Sequence, residues 1–178
     1  MCSIFNDMES RDTIIDKVAQ YLHWLTIPKK EFNNMPVCPF LDKEMRDDML
    51  YIDIWYPHEC SFMDIMESFL LSGKNSSLVI CPNTHTIDYS EVSRKDIQKK
   101  ITDLLRKNPQ TEYLKSMIFS PYEDFEVAGV KTRSGAPYFL INVAPTEQLG
   151  KSHKDLTKTK YFDNFTEKEL NKMNVPKK

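Results

Sequence analysis

Glycine is scarce in this 178-residue chain, with only four, at positions 73, 129, 135 and 150. Counting alone therefore excludes the glycine-rich phosphate loops, both the G-x-G-x-x-G fingerprint and the Walker sequence. The G-x-S-x-G nucleophile elbow and the H-E-x-x-H helix are missing too, which removes the commonest serine-hydrolase and zinc-protease readings. Four cysteines, at 2, 38, 60 and 81, are too few for a disulfide scaffold in a chain this long, so reduced thiols are expected. Long apolar runs are absent as well. Stretches such as Phe69-Leu70-Leu71 fall far short of a bilayer span, and the N-terminus lacks a basic segment followed by an apolar one. These features predict a cytoplasmic protein with no membrane insertion. Finally, 24 basic and 26 acidic side chains leave no excess of either sign, which argues against a general nucleic-acid binder. A small anionic molecule or a protein partner both remain open.

What is present suits one domain. A chain near this length buries roughly 70% of its unfolded surface, so no disulfide or metal staple is required. No internal repeat and no Gly/Ser linker divides it, and residues 1–178 are expected to form a single compact domain. Residues 11–26 carry Ile14, Ile15, Val18, Leu22 and Leu25 on one helical stripe, with Ser10 as cap and Pro28 as stop. Ser61-Phe-Met-Asp64 opens a second helix that ends before Gly73. Ser93-Arg-Lys-Asp96 opens a third, closed by Asn108-Pro109, and Thr166-Glu-Lys-Glu169 a short fourth. Strand-like runs lie between them at Leu50–Tyr56, Leu78–Cys81, Met117–Phe119 and Tyr138–Ala144. The order predicts an α/β fold, with α+β as the variant, in which helices pack on a four-stranded mixed sheet whose first three strands run parallel. An α/β core is expected over about 36–145. The stretch from about 146 to 178 reads as a basic helical tail, since Lys151–Lys178 holds eight lysines against four acids, and solvent is its expected surrounding.

Two punctuated segments stand out, Met35-Pro-Val-Cys-Pro-Phe40 and Thr132-Arg-Ser-Gly-Ala-Pro-Tyr138. Cys38 sits between Pro36 and Pro39, and a thiol on so restricted a backbone suits a nucleophile or redox group. The same residues, Val37, Cys38 and Phe40, also suit a core plug, because free cysteine is among the most buried residue types. Arg133 and Ser134 precede a run ending at Tyr138, where a guanidinium beside hydroxyls suits a carboxylate or phosphate. An exposed hairpin turn accounts for these residues equally well. Tyr122 follows a strand end, within reach of a pocket. Asn83-Thr-His-Thr-Ile-Asp88 is a polar loop at another strand end, in which His85 and Asp88 could move protons. His58, Cys60, Cys81 and His85 form the one plausible zinc constellation, although their spacing is unlike a zinc finger. No other cofactor is expected.

Read together, Trp24, Cys38-Pro39-Phe40, Val79–Pro82, Pro121-Tyr-Glu-Asp-Phe125 and Arg133-Ser-Gly-Ala-Pro-Tyr138 resemble the layout of a bacterial family known as domain of unknown function 1415. The resemblance spans roughly residues 20 to 145. Ser120 stands where members have a histidine, and Gly135-Ala136 is inserted before Pro137. The resemblance implies that Cys38 and Arg133 belong to one pocket, and it implies no reaction.

Three functional expectations follow. The first is a small enzyme with Cys38 as nucleophile or redox thiol, Arg133 as anchor for an anionic substrate, and His85 or Asp88 moving protons. The second is a noncatalytic protein-binding or regulatory module that docks through Trp55, Tyr56 and the basic tail. The third is a zinc-stabilised structural domain.

Overall fold

Ser10 starts the first helix, its hydroxyl accepting from the Thr13 amide at 3.2 Å. The computed structural model describes residues 9–83, 88–89, 93–122, 126–131, 135–172 and 175, with the side chain of residue 172 left aside. Helix α1 (Arg11–Thr26) buries Ile14, Val18, Leu22 and Leu25 as the stripe predicts, and Tyr21 with them. Pro28 opens β1 (Pro28–Lys29), which pairs with β2 (Met35–Pro36) across a turn whose Asn33 and Asn34 are left-handed, φ 55° and 61°. Pro39 then takes the first position of α2 (Pro39–Arg46), a helix outside the four that the spacing predicts.

The core elements follow as β3 (Leu50–Ile54), α3 (Phe62–Leu71), β4 (Ser76–Cys81), α4 (Arg94–Lys107) and β5 (Leu114–Phe119). A small hairpin, β6 (Glu126–Val127) and β7 (Val130–Lys131), leads to β8 (Phe139–Pro145), α5 (Thr146–Thr157) and α6 (Glu167–Lys172). The capping box expected at Ser61 is present, with Asp64 reciprocating, and Gly73 follows the helix at φ 68°. The one expected at Ser93 is not made by its side chain; the Ser93 carbonyl accepts the Asp96 and Ile97 amides instead.

This is an α/β fold on a four-stranded mixed sheet, ordered β3-β4-β8-β5. β3 pairs with β4 in parallel, and β8 is antiparallel to both β4 and β5. The first three core strands thus share one direction as expected, but β8 separates β4 from β5. Burial explains the insertion. β8 is covered on both faces along most of its length and takes a central place, whereas β5 alternates buried and exposed and suits an edge.

On one face of the sheet Ile54, Leu78, Ile80 and Leu140 meet α1. On the other, Val79, Phe139, Ile141, Val143 and Ile118 meet Phe62, Met66 and Phe69 of α3 and Ile97, Ile101 and Leu105 of α4. The expectation of a solvated basic tail is corrected here. Tyr161, Phe162, Phe165 and Val175 are buried against Phe32 and α1 in the first of these layers. Lysines dominate the count in this stretch, but its aromatic residues decide its position, since each buried aromatic contributes far more than an exposed lysine withholds.

Both free edges are blunted. The Gln98 amide of α4 donates to the carbonyl and hydroxyl oxygens of Ser116 on β5, at 3.1 and 2.7 Å. The Asp53 carboxylate accepts the Ile54 amide of β3 at 2.8 Å and pairs with Arg11 at 2.9 Å. Among the described residues, no helix is long and apolar enough to cross a membrane.

Candidate binding groove

Helix α1 carries a second stripe beside its core-facing one. Lys17, Gln20, Tyr21 and Trp24 fall at i, i+3, i+4 and i+7, so they share one flank of the helix. The segment leading into β8 runs along that flank, and Gly135 and Pro137 complete the walls of a groove of about 370 Å³. A Cβ on Gly135 would stand 3.6 Å from the Tyr21 ring, so the two walls are in van der Waals range there. Tyr21 and Trp24 are stacked, with ring centroids 6.2 Å apart and planes 11° from parallel. The Lys29 ammonium sits 4.4 Å over the Trp24 ring. Of the six lining residues Lys17 alone is charged.

The cationic end of the groove is organised by a carboxylate. Glu9 accepts from the Lys17 ammonium and from the Tyr138 hydroxyl. Lys17 also lies 5.9 Å over the Tyr138 ring. The hydrogen bond from Lys17, then that from Tyr138, holds the Glu9 carboxyl below its ordinary range. Burial first, and the Glu9 carboxylate second, push the Tyr138 phenol upward, so it remains a donor.

No protein-family model, no curated protein and no solved structure matches the chain. Its functional reading stands on the geometry of its own residues.

Of the residues singled out from the sequence, Trp24, Gly135 and Pro137 line this groove, and Tyr138 meets its cationic end through Lys17 and Glu9. Arg133 and Ser134, two positions and one before Gly135, lie outside the described residues, as does His85. Asp88 and Tyr122 are brought together elsewhere, at the carboxyl ends of β4 and β5, by Asn83, whose amide donates to Asp88 at 3.1 Å and to the Tyr122 hydroxyl at 3.2 Å. Its carbonyl accepts the Tyr89 amide at 3.0 Å, so Asn83 is the hub of that loop.

Cys38 is not among them. Its amide donates to the Leu25 carbonyl at the far end of α1, whereas Arg11, at the near end, pairs with Asp53 at the carboxyl end of β3. Cys38 is thus tied to the end of α1, and Asp88 to the loop centred on Asn83. The half-buried Cys38 side chain packs against the first core layer, and burial pushes its thiol upward, only partly offset by the Leu41 and Phe40 amides.

Among the described residues, His58, Cys60 and Cys81 do not form a metal-ligating group, and His85 lies outside those residues. His58 is exposed and faces Glu59 at 3.6 Å. Cys60 packs beneath Trp55, whose indole donates to the Cys60 carbonyl at 3.1 Å. Cys81 is buried beside Tyr89, and burial pushes its thiol to about 12. Among the described residues, no three metal-ligating side chains converge. Trp55 and Tyr56, expected as exposed docking residues, are half-buried, Trp55 against Phe62 and Tyr56 against His58.

Lys17, Gln20 and Tyr21 were not singled out because α1 reads first as a core helix, whereas Trp24, Gly135 and Pro137 stand in segments the sequence already marks. The signal was nonetheless available, since the stripe of Lys17, Gln20, Tyr21 and Trp24 has helical spacing of its own.

Proposed function

We propose that this protein is a noncatalytic binding module that docks an acidic, extended segment of a partner protein in the α1 groove. One observation carries the reading: the half-buried Trp24, backed by the buried Tyr21 ring stacked on it, lines a groove whose one charged lining residue among the described residues is a cation. Tryptophan supplies large contact area at low cost in side-chain entropy and is enriched among the residues that dominate binding energy at interfaces. Aromatic-lined grooves also suit extended, proline-containing segments, which lose little backbone entropy on docking. Lys17 and Lys29 favour an acidic sequence and disfavour a basic one. The module is thus the protein-binding expectation, moved from Trp55 and Tyr56 to α1.

The thiol-enzyme reading requires Cys38 as a thiolate, and the burial of its sulfur favours the neutral thiol.

Fluorescence anisotropy with a short fluorescein-labelled peptide of alternating glutamate and proline tests the proposal. The acidic peptide is expected to bind, its glutamine counterpart to bind much more weakly, and Trp24→Ala to weaken binding about thirtyfold, the loss typical of an interface hot spot. Equal binding of the acidic and glutamine peptides, or wild-type affinity in Trp24→Ala, overturns it.

A further inference from the structure

The cationic end of the groove already holds a carboxylate from this chain. The Lys17 ammonium donates to one oxygen of Glu9 and the Tyr138 hydroxyl donates to the other. These two donors come from α1 and from the residue before β8, and they converge on one group although 121 positions separate them. The two donors also touch each other, the Lys17 ammonium lying 5.9 Å over the Tyr138 ring.

We propose that Lys17 and Tyr138 form a two-donor carboxylate site at the end of the groove, and that Glu9 is an internal stand-in for a carboxylate of the docked acidic segment. The inference rests on the reading of the groove as a docking site for such a segment.

Three features support the exchange. Geometrically, an ammonium and a phenol hydroxyl match the two oxygens of one carboxylate, and hydrogen bonds to a charged acceptor are stronger than neutral ones. Energetically, Glu9 is displaceable. Its side chain is 36% exposed and that of Lys17 49%, so water and ions reach the pair, and ion pairs this exposed hold only weakly. Topologically, Glu9 directly precedes the Ser10 cap of α1, so the helix start holds the stand-in next to its site at high effective concentration. An incoming carboxylate must outcompete that contact, and the measured affinity for an acidic segment is reduced by the fraction of molecules in which Glu9 is bound.

The test compares the wild type with Glu9→Gln, using the same glutamate–proline peptide. Glu9→Gln is expected to bind about fivefold more tightly, the factor equivalent to ~1 kcal/mol of released competition. The gain should vanish in Glu9→Gln/Lys17→Met and in Glu9→Gln/Tyr138→Phe. As a second readout, limiting acetic anhydride should acetylate Lys17 faster in Glu9→Gln than in the wild type, and saturating peptide should suppress that gain. Equal or weaker binding by Glu9→Gln overturns the stand-in while leaving the groove reading intact. Failure of the peptide to bind either protein overturns both. Circular dichroism confirms that each variant is folded before its affinity is compared.

Discussion

The buried Glu44 carboxylate of α2 accepts the hydroxyl of Ser76 at the start of β4, at 3.2 Å. Its other oxygen accepts the Gln148 amide of α5 at 2.8 Å, so one acidic side chain joins three elements of the fold. Only 5% of the residue is exposed.

Burial pushes the Glu44 carboxyl above its ordinary range, outweighing the hydrogen bonds from Ser76, Asn75 and Gln148. The folded-state pKa is then above the unfolded one, so the folded chain holds the proton more tightly. The associated stabilisation is fully present below the ordinary carboxylate pKa and is lost as pH rises through the raised value. Glu44→Gln keeps the shape and removes the buried charge. It is expected to raise Tm at neutral pH and to give no advantage in acid below the carboxylate range. Thermal unfolding of both proteins across pH checks this, and a uniform loss of stability in the variant at neutral pH refutes it.

Ser77 presents a different fault. Its residue is fully buried in β4, and its hydroxyl is the one buried side-chain oxygen or nitrogen without a hydrogen-bond partner among the described residues. An unmet hydroxyl in an apolar layer destabilises, so Ser77→Ala should stabilise by ~1 kcal/mol. A denaturant midpoint that rises at unchanged slope is the expected result.

The three described cysteines should differ in their reaction with iodoacetamide. Burial raises all three thiols, and at Cys60 the charges of Asp64, Asp53 and Glu59 add to it. At neutral pH, peptide mass spectrometry should find Cys81 unmodified until the chain unfolds, and Cys38 slower than a free thiol. Alkylation of Cys38 faster than a free thiol would return the enzyme reading to first place.

Phe165 tests the placement of the C-terminal stretch. Its ring lies 5.6 Å edge-on from Phe32 and 5.2 Å from Phe162, centroid to centroid. Phe165→Ala should destabilise by about 3–5 kcal/mol, as for other buried aromatic truncations. A solvated tail would tolerate the change with no measurable loss.

Local chemistry made much of the fold legible. Ser10 and Ser61 mark helix starts because their hydroxyls satisfy amides that the helix leaves orphaned, and that reason holds wherever the helices end up. The same logic was incomplete at Ser93, whose side chain does not make the cap. Helix α2 was hidden because Pro36 and Pro39 read as punctuation around Cys38, although proline at a first helical position also initiates a helix. The site was less legible than the fold. Lys17 and Tyr138 stand on different elements, and their meeting at Glu9 is not written in residue order.

By itself, the sequence determined the starts of α1 and α3, the apolar stripes and the number and direction of the core strands, because caps and periodicity act within a few residues of the chain. Tertiary structure alone decided that β8 enters between β4 and β5, that Tyr161, Phe162 and Phe165 close the core, and that Glu9, Lys17 and Tyr138 meet. Those outcomes depend on burial and charge pairing between residues distant in the chain. Such contacts form only once the apolar faces have found one another.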